Sequence, residues 1–170
     1  MSVFKQWFGK IEKRRVQGML DIVPVWYNTC LRVADILGGA LHDEELIRAD
    51  IGTVLDKADR MLFQFRNDAS DVRKAVTRYD ESLGRRVVRV TQQVYELRNA
   101  TAKFLIRAQG PSPFAKSNLE GESGNLYYHH ALEESGFEAR QMKNELDQEL
   151  VALWVELEKL MSQAASRLKA

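Results

Sequence analysis

Cysteine is nearly missing from this chain: Cys30 is the only one, so no intrachain disulfide can form and a structural zinc site of the usual multi-cysteine kind is excluded. A reducing compartment is the expectation, with the protein either free in the cytoplasm or peripheral to a membrane. Proline is confined to Pro24, Pro111 and Pro113, which leaves Val25 to Gly110 and Phe114 to Ala170 without the strongest helix breaker. The longest uncharged apolar run, Ile22 to Leu31, falls far short of the roughly 20 residues that span a bilayer. Lys5, Lys10 and Lys13 to Arg15 interrupt any apolar core of a signal peptide. Strand signals are poor too, since period-2 alternation is not sustained and neither Asn-Gly nor Asp-Gly occurs. Glycine-rich phosphate loops are absent.

What is there is helical periodicity. The 170 residues, 45% hydrophobic and 29% charged, suit one domain able to bury a core without staples. Val72, Val76, Tyr79, Leu83, Val87, Val90, Val94, Leu97, Thr101 and Phe104 step by three and four, as in a coiled-coil seam. That spacing predicts a helix over 69–108, capped by Asp68 or Ser70 and ended by Gly110-Pro111, with a stutter at Tyr79, Leu83 and Val87 where Gly84 sits. A second stripe, Met142, Leu146, Leu150, Leu153, Leu157, Leu160, Ala164 and Leu168, predicts a helix over 126–168 behind Asn125, with a weak point at Gly136. Upstream, Val23 to Leu41 and Ile47 to Phe65 carry two further stripes, predicting a helix over 22–66 that is kinked or broken at Gly38-Gly39.

The fold class expected is therefore all-α: an elongated antiparallel bundle of three long helices, or four if Gly38-Gly39 breaks the first, plus a short N-terminal amphipathic helix. Residues 1–20 would carry that short helix, and residues 21–170 the bundle with a mobile loop at 110–124. Charge agrees with antiparallel packing. The net charge is only +1, yet residues 21–65 carry −4, residues 66–110 carry +5 and residues 117–170 carry −5, so a basic middle helix would lie between acidic neighbours.

The most distinctive patch lies at residues 3–17. At 100° per residue Phe4, Trp7, Phe8 and Ile11 share one face, with Lys5, Lys10, Lys13 and Arg14 around it, the pattern of a helix lying on an anionic membrane surface. Arg15 intrudes on the apolar face and shortens it. Packing on the bundle or on another protein explains the same residues.

Other constellations have bland explanations. His129 with Glu133 and His130 with Glu134 stand one turn apart, but two protein ligands make a weak metal site, and the Glu-x-x-His pattern of bundle di-iron proteins is missing. His42 beside Asp43, Glu44 and Glu45 reads as an acidic helix start. Cys30 falls on an apolar stripe and reads as core. Arg78, Arg85 and Arg89 align on one helix face with Arg86 nearby, but no aromatics interleave them for nucleic-acid stacking, and ion pairing with an acidic neighbour is the simpler role.

The functional expectation is a non-enzymatic scaffold, adaptor or assembly subunit acting through association with a protein partner or with itself, with neither cofactor nor bound metal. Leu62, Phe63 and Phe65, and Val151, Trp154, Val155 and Met161, form the apolar surplus that would serve it. The alternative is a peripheral membrane protein docking through its N-terminal helix. A metal-dependent enzyme, nucleic-acid binding and a small-molecule substrate are the least favoured readings.

Overall fold

A computed structural model describes residues 3–42, 51–109 and 122–168, with the side chains of residues 3–6, 8, 51 and 122–128 outside that description. Every element among the described residues is a helix: α1 (Val3–His42), α2 (Ile51–Thr77), α3 (Glu81–Ala108) and α4 (Glu122–Arg167). At 1.5 Å per residue, α1 with 40 residues and α4 with 46 are about 60 and 70 Å long, while α2 and α3 are about 40 Å.

Paired contacts give the direction of each helix. Glu12 meets Tyr79 and Trp26 stacks on Phe65, so α1 and α2 are antiparallel. Asp59 meets Arg98 and Phe65 meets Tyr95 across α2 and α3. Arg86 reaches Glu149 and Lys103 reaches Glu138 across α3 and α4, and Tyr27 stacks on Trp154 while Leu41 accepts from Arg140 across α1 and α4. Each helix thus packs antiparallel to the next, α4 closes back on α1, and α1 meets α3 across the centre. That is an up-down-up-down four-helix bundle.

Its core follows the three- and four-residue spacing. Val23, Trp26, Cys30, Val33 and Leu37 of α1 are fully buried, as are Val87, Val90, Val94 and Leu97 of α3 and Leu146, Leu150, Leu153 and Leu157 of α4. In α2 the buried positions are Ala58, Leu62, Phe65, Ala69, Val72 and Val76, one unbroken stripe.

That stripe overturns the expected helix limits. Asp68 and Ser70 start no helix; they lie inside α2, and the chain reverses instead at Arg78-Tyr79-Asp80, within the helix expected over 69–108. Asp80 takes an extended backbone conformation, and its carboxylate accepts from the Leu83 amide at 3.0 Å, an N-cap that starts α3. The stutter expected at Tyr79, Leu83 and Val87 is therefore a turn. Gly84 permits it: a Cβ there would sit 3.2 Å from the Thr77 Cα and overlap the Thr77 hydroxyl.

Two further boundaries differ. Gly38-Gly39 lies within α1, which runs on to His42, so neither a break nor a new start falls there, and the described residues form four helices, the larger of the two expected numbers. Gly38 serves α4 instead: a Cβ there would meet Lys143 Cε at 2.7 Å. Residues 3–17 form no element of their own, because α1 continues from them through Pro24. Proline removes one backbone donor, and the burial of Val23 and Trp26 on either side of it offsets that loss. Asn125 lies inside α4, which begins at Glu122, and α4 also runs through Gly136. Of the loop expected at 110–124, residues 110–121 fall outside the described residues, as do Asp43, Glu44 and Glu45.

The two glycines of contrasting environment give a direct check. Gly39 has open space where a Cβ would go. Gly39→Ala should raise stability in urea unfolding by about 0.5–1 kcal/mol through helix propensity, while Gly84→Ala should lower it by about 1–3 kcal/mol through overpacking against Thr77. A stabilising Gly84→Ala would contradict the close turn.

Candidate binding surface at the α1–α2 end

The register of α1 on α2 sets this end of the molecule. The Tyr79 hydroxyl in the reversal donates to Glu12 Oε1 at 2.8 Å, so α1 residues before Glu12 run past the α2–α3 turn. Nine residues of helix, 3–11, amount to about 13 Å. Trp7 on this stretch is 57% exposed and Ile11 is half-buried, while Lys10, Lys13 and Arg14 are exposed. Phe4, Lys5 and Phe8 belong to the same helix, but their side chains lie outside the described residues.

Just behind the overhang α1 and α2 part to leave an open groove of about 430 Å³. Its floor is apolar, made by fully buried Met19 and half-buried Ile11, Ile22 and Ala75. Its rim carries Arg14 and Arg15 from α1 and Lys74 and Arg78 from beside them on α2 and the turn, against one acid, Asp71, which pairs with Lys74 at 3.6 Å. Arg15, expected to spoil the apolar face, belongs to this rim and stands 3.9 Å from Glu12. Such exposed pairs hold their partners weakly, so the cations stay available. Neither Lys74 nor the role of Arg78 stood out in the sequence, because nothing local says which face of α2 lies beside α1.

The other candidate residues are dispersed. Arg78 precedes α3, so it shares no helix face with Arg85 and Arg89; Arg85 pairs with Glu81 at 3.6 Å. Arg86 instead clasps α4, donating to Glu149 at 2.9 Å and to Glu156. Arg98 holds Asp59 of α2 with two bonds of 2.8 and 2.6 Å, and Lys103 reaches Glu138 at 3.3 Å. The basic α3 therefore pairs with acidic α4 on one side and, through Arg98, with Asp59 on the other. The expectation of acidic neighbours on both sides fails for α2, whose five basic and four acidic residues nearly balance. Arg98 holds the Asp59 carboxyl below its usual range. His42, His129 and His130 are exposed, and no group of three or more His, Cys, Asp or Glu side chains converges among the described residues. Cys30 is fully buried, and burial pushes its thiol far up, away from the thiolate a nucleophile needs. Among the described residues, no helix is long and apolar enough to cross a membrane.

The apolar surplus resolves unevenly. Leu62, Phe65 and Met161 are buried, and Trp154 is half-buried with its ring 4.4 Å from that of Tyr27. Phe63 remains 84% exposed, and Val151 and Val155, one turn apart on α4, are 64% and 61% exposed.

The Tyr79–Glu12 contact anchors the overhang and titrates. Burial first, and the bond to Glu12 next, push the Tyr79 hydroxyl up from 10.0 to about 12. A raised pKa means the contribution is intact below the ordinary tyrosine value and lost as pH climbs through the folded one. Tyr79→Phe should cost about 1 kcal/mol at about pH 7 in urea unfolding, and its deficit should shrink toward about pH 11–12. A deficit constant with pH would contradict this. Compared with known proteins, the chain matches no family model, no curated protein and no solved structure.

Proposed function

We propose that the chain is a non-enzymatic helical-bundle protein that works by association, as a scaffold, adaptor or assembly subunit, with a second copy of itself as its first partner. The observation that carries this reading is the pair Val151 and Val155 on the outer face of α4, 64% and 61% exposed beside the Trp154–Tyr27 stack. Single exposed apolar residues are ordinary, but two valines stacked at i, i+4 beside an indole form a continuous patch that a partner helix can cover. Self-complementary contact across a two-fold axis needs only one such patch per chain.

Size-exclusion chromatography with light scattering tests it. Wild type should run at a multiple of 19.5 kDa, and Val151→Glu/Val155→Glu should run as a single chain with helix content unchanged. A wild-type monomer at high protein concentration would sink self-association.

A second reading has its own observation. Trp7, 57% exposed on the part of α1 that outruns the α2–α3 turn, supports peripheral docking on a membrane through Phe4, Trp7, Phe8 and Ile11 with Lys5, Lys10, Lys13 and Arg14. Trp7→Glu should abolish co-sedimentation with anionic liposomes, and equal pelleting of both proteins would remove this reading.

A further inference from the structure

We propose that the groove between α1 and α2 seats anionic phospholipid at a bilayer surface, so that docking uses Lys74 and Arg78 as well as the N-terminal turns. This rests on the membrane reading above and adds to it a second helix and a lipid class.

The groove and the overhang form one surface. Trp7, Ile11, Arg14, Gly18 and Ile22 follow one another at steps of three and four along α1, so the exposed indole, the groove floor and part of its rim share a helix face. Gly18 leaves open space where a side chain would otherwise narrow the groove. Lys74 and Arg78 are one turn apart and bring two more cations to the same floor from the opposite side. Against Arg14, Arg15, Lys74 and Arg78 stands Asp71, bound to Lys74, while Glu12 at the edge is bound to Tyr79 and Arg15. The surplus is cationic.

Charge complementarity selects an anionic occupant, and the floor narrows the choice. A sugar-phosphate backbone or a run of acidic residues matches the rim but sets no continuous hydrocarbon against the half-buried Ile11, Ile22 and Ala75. A phospholipid surface offers both an anionic headgroup layer and acyl chains beneath it, with a place for Trp7 at the boundary. Cations from two helices also spread the contact over a plane, where each basic side chain near an anionic surface adds its own increment.

Vesicle co-sedimentation with the full chain tests the proposal, using phosphatidylcholine vesicles with and without phosphatidylserine. Wild type should bind only the mixed vesicles. Lys74→Gln/Arg78→Gln should weaken that binding about 30-fold, and Asp71→Asn, which removes the groove's acid, should strengthen it about 5-fold. Both variants alter exposed side chains, and an unchanged melting curve confirms that they fold. Binding by Lys74→Gln/Arg78→Gln and Asp71→Asn equal to wild type would overturn the groove's role while leaving docking by the N-terminal turns in place. Failure of wild type to pellet with either vesicle would overturn the membrane reading itself. Binding to an oligonucleotide or to polyglutamate, lost in Lys74→Gln/Arg78→Gln, without binding to vesicles would assign the groove to another polyanion and overturn the lipid assignment.

Discussion

The arrangement of this molecule depends on one reversal. The stripe of α2 would continue as a helix past Thr77, but Asp80 offers its carboxylate to the Leu83 amide and Gly84 lets the returning backbone press against Thr77. An N-cap supplies about 1 kcal/mol and fixes where the turn falls, while the packing of α2 on α3, with Phe65 against Tyr95, favours the hairpin over a continuous helix. Once α2 and α3 form a hairpin, the basic residues of α3 face Asp59 of α2 on one side and the acidic α4 on the other. Arg98 takes Asp59 in a two-bond clasp, and Arg86 takes Glu149 and Glu156. The turn also places Tyr79 against Glu12, which sets how far α1 reaches beyond the bundle.

The fold class and the seams were legible in the sequence because burial has a period. Val23, Trp26, Cys30, Val33 and Leu37 were expected on one stripe and are fully buried together, as are Leu146, Leu150, Leu153 and Leu157. Boundaries were less legible, because a cap is a local residue with many look-alikes. Asp68, Ser70 and Asp80 all suit an N-cap, and only the packing of Ala69, Val72 and Val76 against α1 and α3 decides among them. Glycines misled for a related reason. Gly38 reads as a break, whereas it lies inside α1 against the Lys143 side chain of α4, a tertiary neighbour with no local sign.

The candidate surface was half legible. Trp7 and its lysines stand out because amphipathicity on one helix is a one-dimensional pattern. The groove is not one-dimensional: Arg14 and Arg15 are separated from Lys74 and Arg78 by some 60 residues of chain, and only the antiparallel register of α1 and α2 joins them. The exposed valines of α4 were legible, since Val151 and Val155 stood in the apolar surplus, but the sequence did not separate them from Trp154 and Met161. Trp154 found its neighbour in Tyr27, while Val151 and Val155 lie beyond the edge of that contact. Two surfaces lie at different places on the bundle, the apolar one proposed to meet a second copy and the cationic one a membrane.

The reversal at Arg78-Tyr79-Asp80 underlies all of this, and one distance tests it. Arg66 and Gln92 line a common groove between α2 and α3. Spin labels on cysteines introduced at these two positions, with fully buried Cys30 left in place, report their separation by pulsed electron resonance. Adjacent helices pack 8–10 Å apart, so the hairpin predicts a distribution below about 20 Å once label arms are included. A helix continuous through residue 80 would hold the same positions about 39 Å apart, and a peak there would contradict the account.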